Sequence, residues 1–249
     1  MLLAYSIFYR YEAPTVSGIP SLYSSNIWFA PSLITLNNYK RAITITGIVP
    51  YSFGDLKHVS LDFSYRIKNN LFLFSGLKTR KLLNIYGENT AVFGTAFKLE
   101  QFGISANVRG IYQYTNEKER LFSATIDLSG TYRINPFIIT YTVLNVLKPT
   151  LSFSSNKSSK ISQRFTVVLN SPSSVYFTFG YEKTESYDTP FMSTEIRFTR
   201  GFGIVFGVED NTVEGGFDLK SKNVGIGIRI KSHTLMGPTY ITYISLFRE

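Results

Sequence analysis

A chain of 249 residues is long enough for one large all-β domain or barrel, and its 17% of charged residues falls below the roughly 25% usual in soluble domains. Hydrophobic residues make up 44% and aromatics 16%, mostly 17 Tyr and 21 Phe, which suits the girdles of outer-membrane barrels and, almost as well, an aromatic-rich soluble sandwich. The absence of cysteine excludes a disulfide framework, a Cys-ligated zinc site and thiol chemistry. The net charge of +9 is scattered, with Lys78, Arg80 and Lys81 the only tight cluster, so solvated loop ends are expected there rather than a nucleic-acid surface.

Residues 1–39 are the least regular part. MLLAYSIFYRYE lacks a charged region followed by an apolar one, so no complete signal peptide is visible. An exported barrel needs one, and the sequence is then a mature form or begins downstream of the true start. Residues 3–11 could form a strand; Pro14, Gly18, Pro20 and Pro31 interrupt the chain beyond it. The apolar, aperiodic run SLYSSNIWFAPSLITL is the candidate plug, with Trp28, Phe29, Pro31 and Leu33 its anchoring residues.

From Lys40 the pattern is a period of two, and residues 40–249 read as a barrel. Strands are expected over 41–49, 58–67, 71–77, 90–99, 103–114, 121–133, 137–145, 163–169, 175–182, 191–199, 202–209, 212–219, 224–231 and 240–247. Residues 78–89, 148–162, 183–190 and 232–238 are expected as loops. Around 69, 101, 135, 172, 200 and 221 short turns alternate with mostly longer loops, the rhythm of an outer-membrane barrel. The fold class is thus all-β, a transmembrane antiparallel up-and-down barrel of about fourteen strands with a short N-terminal plug. A water-soluble barrel or sandwich is the alternative. No stretch approaches the roughly 18 uninterrupted apolar residues of a membrane-spanning helix.

One face of these strands is almost purely apolar; the other carries charge deep in the strands. On the alternation, Asp62, Arg66, Arg109, Asp127, Arg133, Glu195, Arg197 and Arg229 line the lumen. They either seal it as a salt-bridged core or border a polar path. A barrel of this size is too wide for side chains alone to close, so water, a ligand or residues 1–39 must fill the rest.

Catalysis is not expected. His58 and His233 are the only histidines, each at a strand end near an external loop, and a hydrolase dyad would need Ser60 or Ser232 placed beside one of them. Glu209, Asp210, Asn211 and Glu214 could hold a cation but lack calcium-loop spacing, and a tight turn explains them. No metal and no cofactor are expected.

The run IDLSGTYRINPFIITYTVLNVLKP resembles the central strand pair of FadL/PorV-type outer-membrane proteins, Asn145 to Pro149 standing for that family's Asn-Leu-x-x-Pro-like ending. His233 to Tyr240 stands where the family has His-x-x-Leu-Gly-x-Thr-His, and Ala30-Pro31-Ser32-Leu33 where it has an Asn-Pro-Ala plug segment, with Ala30 in place of the Asn. The chain is short for the family and its plug region reduced. The resemblance implies a fourteen-stranded barrel and names no substrate. The function expected is an outer-membrane channel or transporter for small molecules, apolar ones included. The alternatives are a non-transporting scaffold or secretion-associated adaptor, and a soluble β-protein or rim lipid-modifying enzyme. The expected partners are the lipid bilayer of a bacterial outer membrane and a small hydrophobic ligand, with no nucleic acid.

Overall fold

The computed structural model describes residues 27–36, 39–52, 56–83, 85–116, 119–149, 161–170, 174–184, 188–198, 201–209, 212–233 and 237–248. The candidate strand at 3–11 and most of the loop 148–162 lie outside these residues.

Alternation writes the fold. The strands are β1 (Arg41–Val49), β2 (Leu56–Lys68), β3 (Leu71–Leu82), β4 (Tyr86–Leu99), β5 (Phe102–Thr115), β6 (Arg120–Ile134) and β7 (Phe137–Leu144). They continue with β8 (Ser162–Asn170), β9 (Val175–Thr184), β10 (Asp188–Arg197), β11 (Phe202–Glu209), β12 (Thr212–Lys220), β13 (Val224–His233) and β14 (Gly237–Arg248). Each pairs antiparallel with its sequence neighbours, and β1 closes on β14 with Arg41 opposite Arg248 and Val49 opposite Tyr240. The result is a closed barrel of β1 to β14, which leaves no sheet edge to be solvated.

The two faces are reversed relative to a water-soluble protein. Outward-pointing Leu77, Phe93 and Phe122 are 60%, 61% and 72% exposed, while Asp62 and Glu214 are 0% and 1% exposed on the inner face. An apolar exterior around a polar interior is stable only where hydrocarbon surrounds the wall. The water-soluble alternative therefore fails on the outer face.

The wall is uneven in height. β4, β5 and β6 run 14, 14 and 15 residues, against 8, 9 and 8 for β7, β8 and β11. β6 pairs with β5 from Arg120 to Tyr132 but with β7 only from Leu128 to Ile134. β7 stops because Asn145 turns left-handed at φ 59, donating its N–H to Asp127 Oδ1 at 2.9 Å. Val146 N then bonds Ile126 O at 3.0 Å.

Three expected loops shrink. β3 and β4 extend until only residues 83–85 separate them, β9 and β10 are separated by 185–187, and β13 and β14 by 234–236. The contrast between long and short connections thus rests mainly on residues 50–55 and 145–161, which share one end of the barrel. In the first of these the cause is burial: Lys78, Arg80 and Glu88, which look like loop residues, continue the alternation as inward positions. The expectation that Lys78 and Arg80 are solvated loop ends is corrected accordingly; of that cluster only Lys81 is exposed.

Candidate functional site: the barrel interior and the segment within it

Residues 27–36 run along the inner face, ending in a 3₁₀ turn, Pro31–Leu36, whose Pro31 to Thr35 are all buried. They enter where the wall leaves room. A Cβ on Gly76 would come within 2.7 Å of the Trp28 ring and 2.8 Å of Ile27. One on Gly103 would strike Thr35 Oγ1 and lie 3.0 Å from Ser32 O. Only glycine at these two inward positions admits the segment.

Apolar contacts seat both ends of it. Ile27, Trp28 and Ile34 pack with Phe72, Phe74, Val92 and Ala96, with Phe29 against the cluster. Leu33 packs with Ile138 and Val168, joined by Ala30, Leu36 and Tyr176. Polar contacts fix its register. Trp28 Nε1 donates to Asp62 Oδ1 at 2.6 Å, and Ser32 Oγ lies 2.6 Å from both Ser129 Oγ and Thr131 Oγ1. Thr35 Oγ1 donates to Ser32 O at 2.7 Å. Cations cover the aromatic faces: Lys78 Nζ stands 4.3 Å from the Trp28 centroid and 5.6 Å from that of Phe29. The Arg164 guanidinium lies 5.7 Å from Phe29 and 4.5 Å from Phe191. Desolvated contacts of this kind contribute about 2 kcal/mol each. Asp62 and Lys78 are thus held to the wall and the segment at once.

The remaining interior charges pair with each other. Arg109 Nη2 donates to Asp127 Oδ2 at 2.5 Å, and Asn107 Nδ2 to the same oxygen at 2.8 Å. Arg80 and Gln113 bind the two oxygens of Glu88 at 3.0 and 2.9 Å. Ser162 Oγ donates to Glu182 Oε1 at 2.9 Å. On the other side of the barrel Arg197 Nε donates to Glu195 Oε1 at 2.5 Å, and Lys231 Nζ to Glu209 Oε2 at 2.6 Å. Arg229 bridges Glu214 and Asp218, 3.4 Å from each, and Tyr243 donates its hydroxyl to Asp218 Oδ1.

Of the eight residues assigned to the lumen from the sequence, six therefore occupy such contacts. Arg66 is half-buried beside a register irregularity next to the short turn at 69–70, and Arg133 is exposed beside the turn at 135–136. Among the described residues neither joins the interior network by an ion pair. Sequence reasoning missed Lys78, Arg80, Glu88, Arg164, Glu182 and Asp218. Their signal was the parity they share with Gly76, Thr90, Thr166, Thr178 and Gly216.

His58 is buried in β2 rather than set on an exposed rim, and forms no hydrogen bond with Ser60, the next residue on its face. His233 and Ser232 occupy adjacent, opposite-facing positions at the end of β13. Glu209 and Glu214, the candidate cation ligands, are held by Lys231 and Arg229. Among the described residues no group of His, Cys, Asp or Glu could hold a metal ion.

A closed wall, apolar outside and ion-paired inside, with a chain segment laid across its inner face, defines a transmembrane β-barrel. Solved structures of the same fold include the CymD monoaromatic hydrocarbon channel, which has a TM-score of 0.62 at 10% identity and covers 91% of this chain and 93% of its own. The Acinetobacter baumannii outer membrane protein Omp33 has a TM-score of 0.56 at 8% identity over 84% of this chain and 98% of its own. A ΔS2S3 mutant of the TodX monoaromatic hydrocarbon channel has a TM-score of 0.58 at 7% identity over 90% and 94%. No family model and no curated protein matches the sequence. At these identities the likeness is one of fold.

Proposed function

We propose that the chain is a FadL/PorV-like channel of the bacterial outer membrane for small molecules, with apolar compounds its cargo class and residues 27–36 its plug. The observation that carries this reading is the seating of residues 27–36. A segment that fits two inward glycines, donates from Trp28 to a buried carboxylate and bonds Ser32 to two wall hydroxyls is a built part of the lumen. A barrel of β1 to β14 is too wide for its own side chains to seal, and a seated segment is what such a lumen requires to be selective. The fold shared with two hydrocarbon channels favours apolar cargo. Trp28, Phe29, Pro31 and Leu33 anchor the plug. Asp62, Arg66, Arg109, Asp127, Arg133, Glu195, Arg197 and Arg229 line the lumen it narrows, with Arg66 and Arg133 at its short-turn mouth.

Liposome swelling in small sugars tests the reading. The full chain is compared with one whose residues 27–36 are replaced by a Gly-Ser linker of equal length, both confirmed as folded by heat-modifiable migration. Swelling several times faster for the replaced chain is expected. Equal swelling, or none in either, would remove the plug from the account.

A further inference from the structure

We propose that the outer surface of β2 and β3 binds the phosphates of a lipid head group in the external leaflet through Lys57 and Lys81, with Arg120 flanking. The register carries the inference. Lys57 and Lys81 are directly opposed across the β2–β3 ladder, both pointing outward and exposed. The same rung continues through Gly87 and Tyr114 to Arg120 on β6. Four strand spacings put Arg120 about 19 Å from Lys57 along the wall. Like charges set directly opposite each other destabilise a strand pair, so this pair needs an anion to be favourable.

Among the described residues the wall around them supplies none. Outward positions of β2 to β6 carry no acidic residue, and among the described residues none of the three cations has an ion-pair partner. The matching position on β9 and β10 is built differently: Lys183 stands opposite Asp188, so unlike charges face each other across that ladder. The next outward rung still carries Thr79, Asn89 and Tyr112 between Val59 and Phe122, and beneath it the wall turns apolar, with Leu77, Phe93 and Val108 exposed. A partner for this surface must therefore present anionic groups at the membrane surface and acyl chains beneath them, and a phosphorylated lipid does both. The end is fixed by topology, because Lys57, Lys81 and Arg120 adjoin the connections at 50–55, 83–85 and 116–119. The connection at 145–161 shares that end, and long connections mark the external side. The inference rests on the membrane location proposed above.

Native mass spectrometry of the detergent-solubilised full chain, titrated with diphosphorylated lipid A and with the same lipid stripped of both phosphates, provides the test. The wild type is expected to hold the phosphorylated lipid selectively. The K57Q/K81Q variant is expected to lose about tenfold or more in affinity, while K183Q binds as the wild type does. In lipid-A-free vesicles K81E should unfold at a higher urea concentration than the wild type, because it sets a carboxylate opposite Lys57 and turns repulsion into attraction, yet it should bind lipid A least of all. Equal binding of the dephosphorylated lipid, or undiminished binding by K57Q/K81Q, would overturn the inference while leaving the barrel reading intact. A chain that does not insert into vesicles would fail at the membrane reading itself.

Discussion

At the scale of single residues, the interior shows how charge is tolerated inside a wall that faces hydrocarbon. Arg229 is buried between Glu214 and Asp218, and Asp218 also accepts the Tyr243 hydroxyl. Removing the one cation leaves two carboxylates facing each other without it, whereas removing all three charges leaves nothing unpaired. R229M should accordingly destabilise the barrel by about 3–5 kcal/mol, and R229M/E214Q/D218N should recover most of that loss. Urea unfolding in lipid vesicles measures both, and a single variant as stable as the wild type would show that the triad carries no strength. Asp62, Asp127, Glu195 and Arg229 could be found from the sequence because each sits in an unbroken run of alternation. Lys78 and Arg80 could not be placed in the same way. Two basic residues beside Lys81 have the composition of a loop, and only their parity with Gly76 and Phe74 betrays that they point inward, Lys78 against the Trp28 ring.

At the scale of elements, the strands follow from periodicity and the plug does not. All fourteen strands lie where alternation places them, and the errors are in their ends: interior charge imitates a loop in β3 and β4, while β10 and β14 begin at Asp188 and Gly237, ahead of the expected 191 and 240. β3 is instructive. Its opening LFLFSGL is apolar at every early position, which a strand between lipid and polar lumen does not need. The inner set, Phe72 and Phe74, is apolar because Ile27, Trp28 and Ile34 cover it. The pairing between a doubly apolar strand and an aperiodic apolar segment distant in sequence is a tertiary fact that no local window contains. Gly103 and Gly130 show the same limit, since alternation sets them on opposite faces but only the fold shows that a segment lies against the first. A side chain at Gly103 collides with the plug, while one at Gly130 meets nothing within 4 Å. G103V should displace the 3₁₀ turn, shifting the emission of Trp28, the one tryptophan, to longer wavelength and raising solute uptake, with G130V unchanged in both. A G103V barrel whose Trp28 emission matched the wild type would show that the segment is not seated there.

At the scale of the whole molecule, three surfaces divide the labour. The outer face provides the membrane fit, the inner face neutralises its charges in pairs, and on the function proposed above the segment 27–36 decides what the lumen admits. The tall side of the wall, β2 to β6, carries much of the seat of that segment on its inner face and the basic rung on its outer face. The central claim is that residues 27–36 are fixed inside the barrel and set its permeability. The absence of cysteine makes this directly measurable, because Ser32 and Ser129 lie with their hydroxyls 2.6 Å apart, close enough for a disulfide to replace that contact. Single-channel recording of S32C/S129C in a planar bilayer is the decisive measurement. A disulfide should form on oxidation of the inserted protein, and the locked barrel should conduct as the wild type does, well below the linker-replaced chain. Failure of the two cysteines to join, or a locked barrel conducting as widely as one without the segment, would contradict the account.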